Sequence, residues 1–122
     1  MKQIALIEDN ADNRLLVQAI LGGSYDITEY ESGALGLAGV RSAGADVVLL
    51  DVSLPGLSGL DVVQSLKADP ATAGIPVVAL TAHAMVGDRE RFLEAGFDAY
   101  ISKPIEDLAV LAATIERLTG TI

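Results

Sequence analysis

The sequence contains no cysteine and a single histidine. Without cysteine the chain forms no disulfide and offers no thiolate to a metal. The lone imidazole, His83, has no second ligand type clustered near it, so it reads as an exposed or locally bonded side chain rather than a ligand. Basic residues are also scarce: 8 Lys and Arg stand against 17 Asp and Glu, for a net charge of −9 at pH 7. Such a chain repels nucleic acid on average, and no basic stripe offsets the repulsion. It suits cations or protein partners, with solubility alone as the plainer meaning of the charge. The apolar runs are far too short to span a bilayer. The opening "MKQIALIEDN" meets acid by Glu8, which a signal peptide would not. These absences together give the expectation of a cytoplasmic protein with neither a membrane nor a nucleic-acid partner.

The chain has 122 residues, 51% of them hydrophobic, enough for one domain (1–122) with a core that needs no staples. Apolar runs alternate with helical patterns. Strands are predicted at "IALI" (4–7), "YDITEY" (25–30), "VVLL" (47–50), "VVAL" (77–80) and "AYI" (99–101). Helices are predicted near 12–21, 33–43, 59–68, 85–95 and 106–118. The last is the clearest, with Leu108, Leu111, Ala112, Ile115 and Leu118 on one face. The fourth puts Met85, Phe92 and Leu93 together, and Gly96 follows as a stop. The second is the weakest, because Gly33, Gly36 and Gly39 all lower helix propensity. Five β–α units in alternation argue for an α/β fold, a parallel sheet with helices on both faces. The second strand alternates polar and apolar residues and belongs at an edge.

In open α/β sheets, sites form beyond the carboxyl ends of the strands. The first strand runs into Glu8-Asp9, the third into Asp51, the fourth into Thr81 and the fifth towards Lys103. Three carboxylates, a hydroxyl and an ammonium thus come from separate parts of the chain to one edge. Crowded carboxylates repel, and a divalent cation relieves them. Oxygen donors without histidine or cysteine favour Mg²⁺, which leaves positions for phosphate oxygens. Lys103 would add positive charge and Thr81 a hydroxyl donor. That combination suits phosphoryl transfer, in which positioning and charge neutralisation dominate. A carboxylate can itself be the nucleophile, and Asp51, ending the central apolar strand, is the candidate for an aspartyl-phosphate.

Each residue alone has a plainer meaning. Glu8 and Asp9 could cap the following helix, Asp51 could be a turn residue before "LPG", Thr81 an ordinary strand-end residue and Lys103 a solvated charge. The conjunction at one edge carries the functional reading.

The segments "LIEDN", "VVLLDVSLPGLSGLDV", "IPVVALTAHA" and "AYISKPI" resemble the receiver domain of two-component response regulators over essentially the whole chain. The resemblance implies a doubly wound, five-stranded (βα)5 sheet of the flavodoxin-like and CheY-like type, in strand order 2-1-3-4-5. It implies that Asp51 is the phosphoacceptor, that Asp9 ligates Mg²⁺ directly with Glu8 as its companion acid, and that the Ser53 carbonyl is a further ligand. Thr81 matches the hydroxyl that follows the phosphoryl group, Lys103 the lysine that pairs with it, and Tyr100 the aromatic switch residue, with Ala82 small enough to let it turn inward. Ser53 and His83 match the two positions that tune phosphoryl lifetime. The implied protein is a signalling phosphoacceptor rather than a classical enzyme. Its donor would be a histidine kinase or histidine phosphotransfer protein, and it would signal to a downstream protein through the face formed by the fourth helix, fifth strand and fifth helix. A phosphorylation-dependent homodimer is compatible with that scheme.

The chain stops soon after the last predicted helix, at "RLTGTI", and starts with Met1 just before the first strand. The expectation is therefore a stand-alone receiver, with a module cut from a hybrid histidine kinase as the alternative. A flavodoxin-like electron carrier would need a phosphate cradle where this chain has "EDNADN". A phosphatase of the haloacid dehalogenase type would need a second Asp where Ser53 stands. A purely structural adaptor would not need Glu8, Asp9, Asp51, Thr81 and Lys103 together.

Overall fold

The computed structural model describes residues 2–52, 54, 56–81, 88–102 and 108–119. Strands β1 (Gln3–Ile7), β2 (Asp26–Tyr30), β3 (Val47–Asp51), β4 (Val77–Thr81) and β5 (Ala99–Ser102) alternate with helices α1 (Ala11–Leu21), α2 (Gly33–Ala43), α3 (Gly59–Ala68), α4 (Asp88–Ala95) and α5 (Leu108–Thr119). All strand pairs are parallel, in the expected order β2-β1-β3-β4-β5.

The apolar runs predict the depth of each strand. β3 and β4 are buried at all five positions, as strands covered on both faces must be. β2, with its alternating polar residues, lies at the edge and keeps only intermediate burial at Ile27 and Tyr30. Successive strand residues point to opposite faces, which divides the core in two. Ile4, Leu6, Leu49 and Leu80 pack with Val17 and Leu21 of α1 and Leu111 and Ile115 of α5. Ile7, Leu50 and Ala79 pack with Val40 of α2, Val62 and Leu66 of α3 and Phe92 of α4.

Element bounds agree with the sequence reading to within a few residues. β3 and β4 each run one residue further than their apolar stretch, so Asp51 and Thr81 are the last residues of strands. The fourth helix is described from Asp88 and the fifth from Leu108, so residues 85–87, including Met85, and 106–107 lie outside the described residues. The α5 stripe is as expected at Leu111, Ala112, Ile115 and Leu118, all of which pack on the core. One α4 expectation is corrected. Phe92 is buried, but Leu93 is 41% exposed. Leu93 is turned about 100° round the helix from Phe92, past the edge of the buried face of this short surface helix.

α2 forms over its full predicted length despite its glycines. The structure supplies the reason. A Cβ on Gly36 would collide with Ile7, and one on Gly39 with the Tyr30 ring. These positions trade helix propensity for close approach of α2 to the sheet. Gly96, at φ +117°, ends α4 with its amide donating to the Leu93 carbonyl.

Candidate phosphoacceptor site

The carboxyl ends of β1 and β3 lie side by side, since Ile7 is in register with Leu50. Glu8 and Asp9 therefore emerge next to Asp51. One carboxylate oxygen from each of Glu8, Asp9 and Asp51 falls within 4.8 Å of the others. Glu8 (0% exposed) and Asp51 (4%) are buried, and Asp9 is exposed. Burying carboxylates beside one another is unfavourable unless a cation is near. The donor set is all oxygen and all anionic, which fits a hard divalent ion such as Mg²⁺.

The helix-capping roles are filled by other residues. Asn10, not Glu8 or Asp9, caps α1: its side-chain oxygen accepts from the amides of Asp12 (2.9 Å) and Asn13 (3.1 Å). α3 has its own capping box, with Ser58 Oγ accepting from the Asp61 amide and the Asp61 carboxylate accepting from the Ser58 amide. The N-caps of α1 and α3 are thus Asn10 and Ser58. Gly59 brings the start of α3 against the strand end; a Cβ there would lie 2.5 Å from the Asp51 carbonyl oxygen.

Thr81 ends β4 and is 3% exposed. Asp51 is in register with Leu80, so Thr81 stands one position further along the adjacent strand. Strand alternation puts Thr81 on the face of Val77 and Ala79. Tyr100, in register with Ala79, occupies that same face. Its half-buried ring lies 6.1 Å from the Phe92 ring. Of the residues singled out from sequence, the structure brings together Glu8, Asp9 and Asp51, and places Thr81 and Tyr100 on the neighbouring strands. Ser53, Ala82, His83 and Lys103 lie outside the described residues.

Two contributors were not singled out from sequence. Asn10 carries a readable signal, an amide side chain immediately before a helical pattern. Arg14 carries none. Its Nη1 donates to the Glu8 carbonyl at 2.8 Å and its Nε to Glu29 Oε1 at 3.0 Å, a partner 15 residues away on β2.

Among the described residues no helix is long and apolar enough to cross a membrane. The family model of the response regulator receiver domain matches residues 4–116. The polar-differentiation response regulator DivK of Brucella ovis is 42% identical over 105 residues, 85% of each chain. A solved receiver domain of a sensor histidine kinase from Pseudomonas aeruginosa PAO1, with a magnesium ion coordinated in its active site cleft, is 32% identical. It superposes with a TM-score of 0.89 over 98% of both chains. The chemotaxis protein CheY4 of Vibrio cholerae, at 22% identity and a TM-score of 0.88 over 97% of this chain and 98% of its own, shares the fold. These matches decide against the flavodoxin-like and phosphatase rivals, and the chain, a phosphorylation-activated signalling module of two-component systems, belongs to the response regulator receiver domain family.

Proposed function

We propose that Asp51 is the phosphoacceptor and that Glu8, Asp9, Asp51 and the Ser53 carbonyl hold Mg²⁺. The observation that carries this reading is the convergence of three carboxylate oxygens within 4.8 Å at the carboxyl edge of the sheet. Bound there, the ion would supply positive charge against the oxygens of the incoming phosphoryl group. The whole chain, 1–122, acts as one receiver domain in the cytoplasm.

The donor is a phosphohistidine on a histidine kinase or phosphotransfer protein. A carboxylate oxygen of Asp51 attacks phosphorus, forming a P–O bond as the P–N bond breaks. The electron pair leaves with the imidazole nitrogen, which takes a proton from solvent. Burial of Asp51 keeps bulk water from competing at the carboxylate. Thr81 donates its hydroxyl, and Lys103 its ammonium, to phosphoryl oxygens. Slow self-dephosphorylation returns the carboxylate when water attacks phosphorus and the P–O bond to Asp51 breaks.

Signalling follows from the Thr81 and Tyr100 arrangement. When Thr81 moves towards the phosphoryl group, Tyr100 on the same face fills the space it leaves. The surface built from α4, β5 and α5 shifts in population, and a downstream protein reads it. The curated response regulators match at 42% identity, against 32% for the histidine-kinase receiver, which favours the response-regulator reading over the hybrid-kinase module. A phosphorylation-dependent homodimer would use the same surface.

Intact-mass spectrometry after incubation with acetyl phosphate tests the chemistry. One phosphoryl adduct is expected with Mg²⁺, and none with chelator or in Asp51→Asn. An adduct that persists in Asp51→Asn removes Asp51 from the role.

A further inference from the structure

Asp9 is the exposed member of the acidic trio, on a short connection between β1 and α1. An exposed carboxylate gains nothing from close packing, so its position must come from its backbone. That backbone is held on one side by a side chain and on the other by the first hydrogen bond of α1. The Arg14 guanidinium donates from Nη1 to the Glu8 carbonyl at 2.8 Å, and the Arg14 amide donates to the Asn10 carbonyl at 3.1 Å. The two carbonyls flank Asp9. The guanidinium is held in turn by Glu29 on β2, whose Oε1 accepts from Arg14 Nε at 3.0 Å and whose Oε2 accepts from Gln18 Nε2 at 2.9 Å. The Glu8 amide completes the frame by donating to the Tyr30 carbonyl at 3.0 Å.

Charge alone does not account for this placement. A cation beside a divalent-ion site repels the ion, so Arg14 opposes metal binding electrostatically. Its planar fork, however, reaches the Glu8 carbonyl and the Glu29 carboxylate through separate nitrogens at fixed relative positions, which an ammonium on a flexible stem does not hold. We propose that Arg14, anchored by Glu29, is a positioning residue that fixes the Glu8–Asn10 turn so that Asp9 meets Glu8 and Asp51 at ion-binding spacing. This rests on the metal-site reading above.

The two effects have opposite signs, which makes the test sharp. Mg²⁺ is titrated into the full chain without any phosphodonor, and binding is followed by backbone amide chemical shifts in wild type, Arg14→Met and Arg14→Lys. Far-UV circular dichroism establishes that each variant is folded. Positioning predicts that Arg14→Met weakens Mg²⁺ binding by about tenfold, the lower end for outer-shell partners of metal ligands, and that Arg14→Lys, at constant charge, weakens it less. A merely structural role would lower the melting temperature and leave the affinity of the folded protein unchanged. Unchanged or tighter binding in Arg14→Met overturns the proposal. Should that variant not fold, unchanged binding in Arg14→Lys overturns it equally. A wild-type chain whose amides do not respond to Mg²⁺ overturns the metal site itself and the inference with it.

Discussion

At the amino-end edge of the sheet, acids are spread out, each facing a donor; at the carboxyl-end edge, three acids crowd together. Asp46 accepts from the Gln3 amide at 2.6 Å and Asp26 from Gln3 Nε2 at 2.9 Å. Asp98 accepts from the Val77 amide at 2.8 Å and from Lys67 Nζ at 3.2 Å, while Lys67 also donates to the Ile75 carbonyl at 2.9 Å. Those contacts tie α3, β4 and the turn before β5 together. Glu8, Asp9 and Asp51, of the same chemical type, converge within 4.8 Å. The first group adds stability through charge-assisted hydrogen bonds. The second brings like charges together, which is unfavourable unless a cation is near, and could hold a metal ion. A carboxylate's role here follows from what faces it, not from its identity.

The largest contrast between the edges is expected with metal. At a hundredfold excess over its dissociation constant, Mg²⁺ should stabilise the wild-type chain by about 2.7 kcal/mol. Asp98→Asn should keep that increment and Asp51→Asn should lose most of it, as read by urea unfolding with and without Mg²⁺. Next, Asp98→Ala leaves the Val77 amide without its side-chain acceptor and takes one of several acceptors from Lys67. It should lower stability by about 2 kcal/mol, with an unchanged denaturant slope. Asp46→Ala removes a single acceptor from the Gln3 amide and should lower stability by about 1 kcal/mol. A full-sized effect in Asp46→Ala and none in Asp98→Ala would reverse the assigned importance of the two contacts.

The smallest effect lies with Tyr25, buried just before β2 at the amino-end edge. Burial, and then the charge of Glu116, raise its phenol above the ordinary value of 10.0. The unfolded chain therefore ionises first as pH rises. The stability contributed by the neutral phenol is whole below pH 10 and is lost as pH climbs through the raised folded value. Tyr25→Phe should flatten this alkaline loss in a series of melts. An unchanged alkaline slope would place its origin in other groups.

Much of this was legible in the sequence because one rule served twice. Apolar runs marked β1, β3 and β4, and the polar residues at the ends of those runs marked the candidate site. Glu8, Asp9, Asp51 and Thr81 could be found that way before any fold was known. What was not legible depended on partners distant in sequence. The α2 glycines read as a weak helix, because propensity does not see Ile7 and Tyr30 beneath Gly36 and Gly39. Leu93 read as core beside Phe92, yet α4 turns it to solvent. The contact from Arg14 to Glu29 exists only because β2 lies alongside β1.

Thermal melts of Asp51→Asn and Asp98→Asn against wild type, at pH 7 in chelator, separate the two kinds of acid most directly. Removing a charge from the crowded trio should raise the melting temperature, and removing one from the Lys67 and Val77 contacts should lower it. A fall in both variants would contradict the division, because Asp51 would then be a structural acid like Asp98.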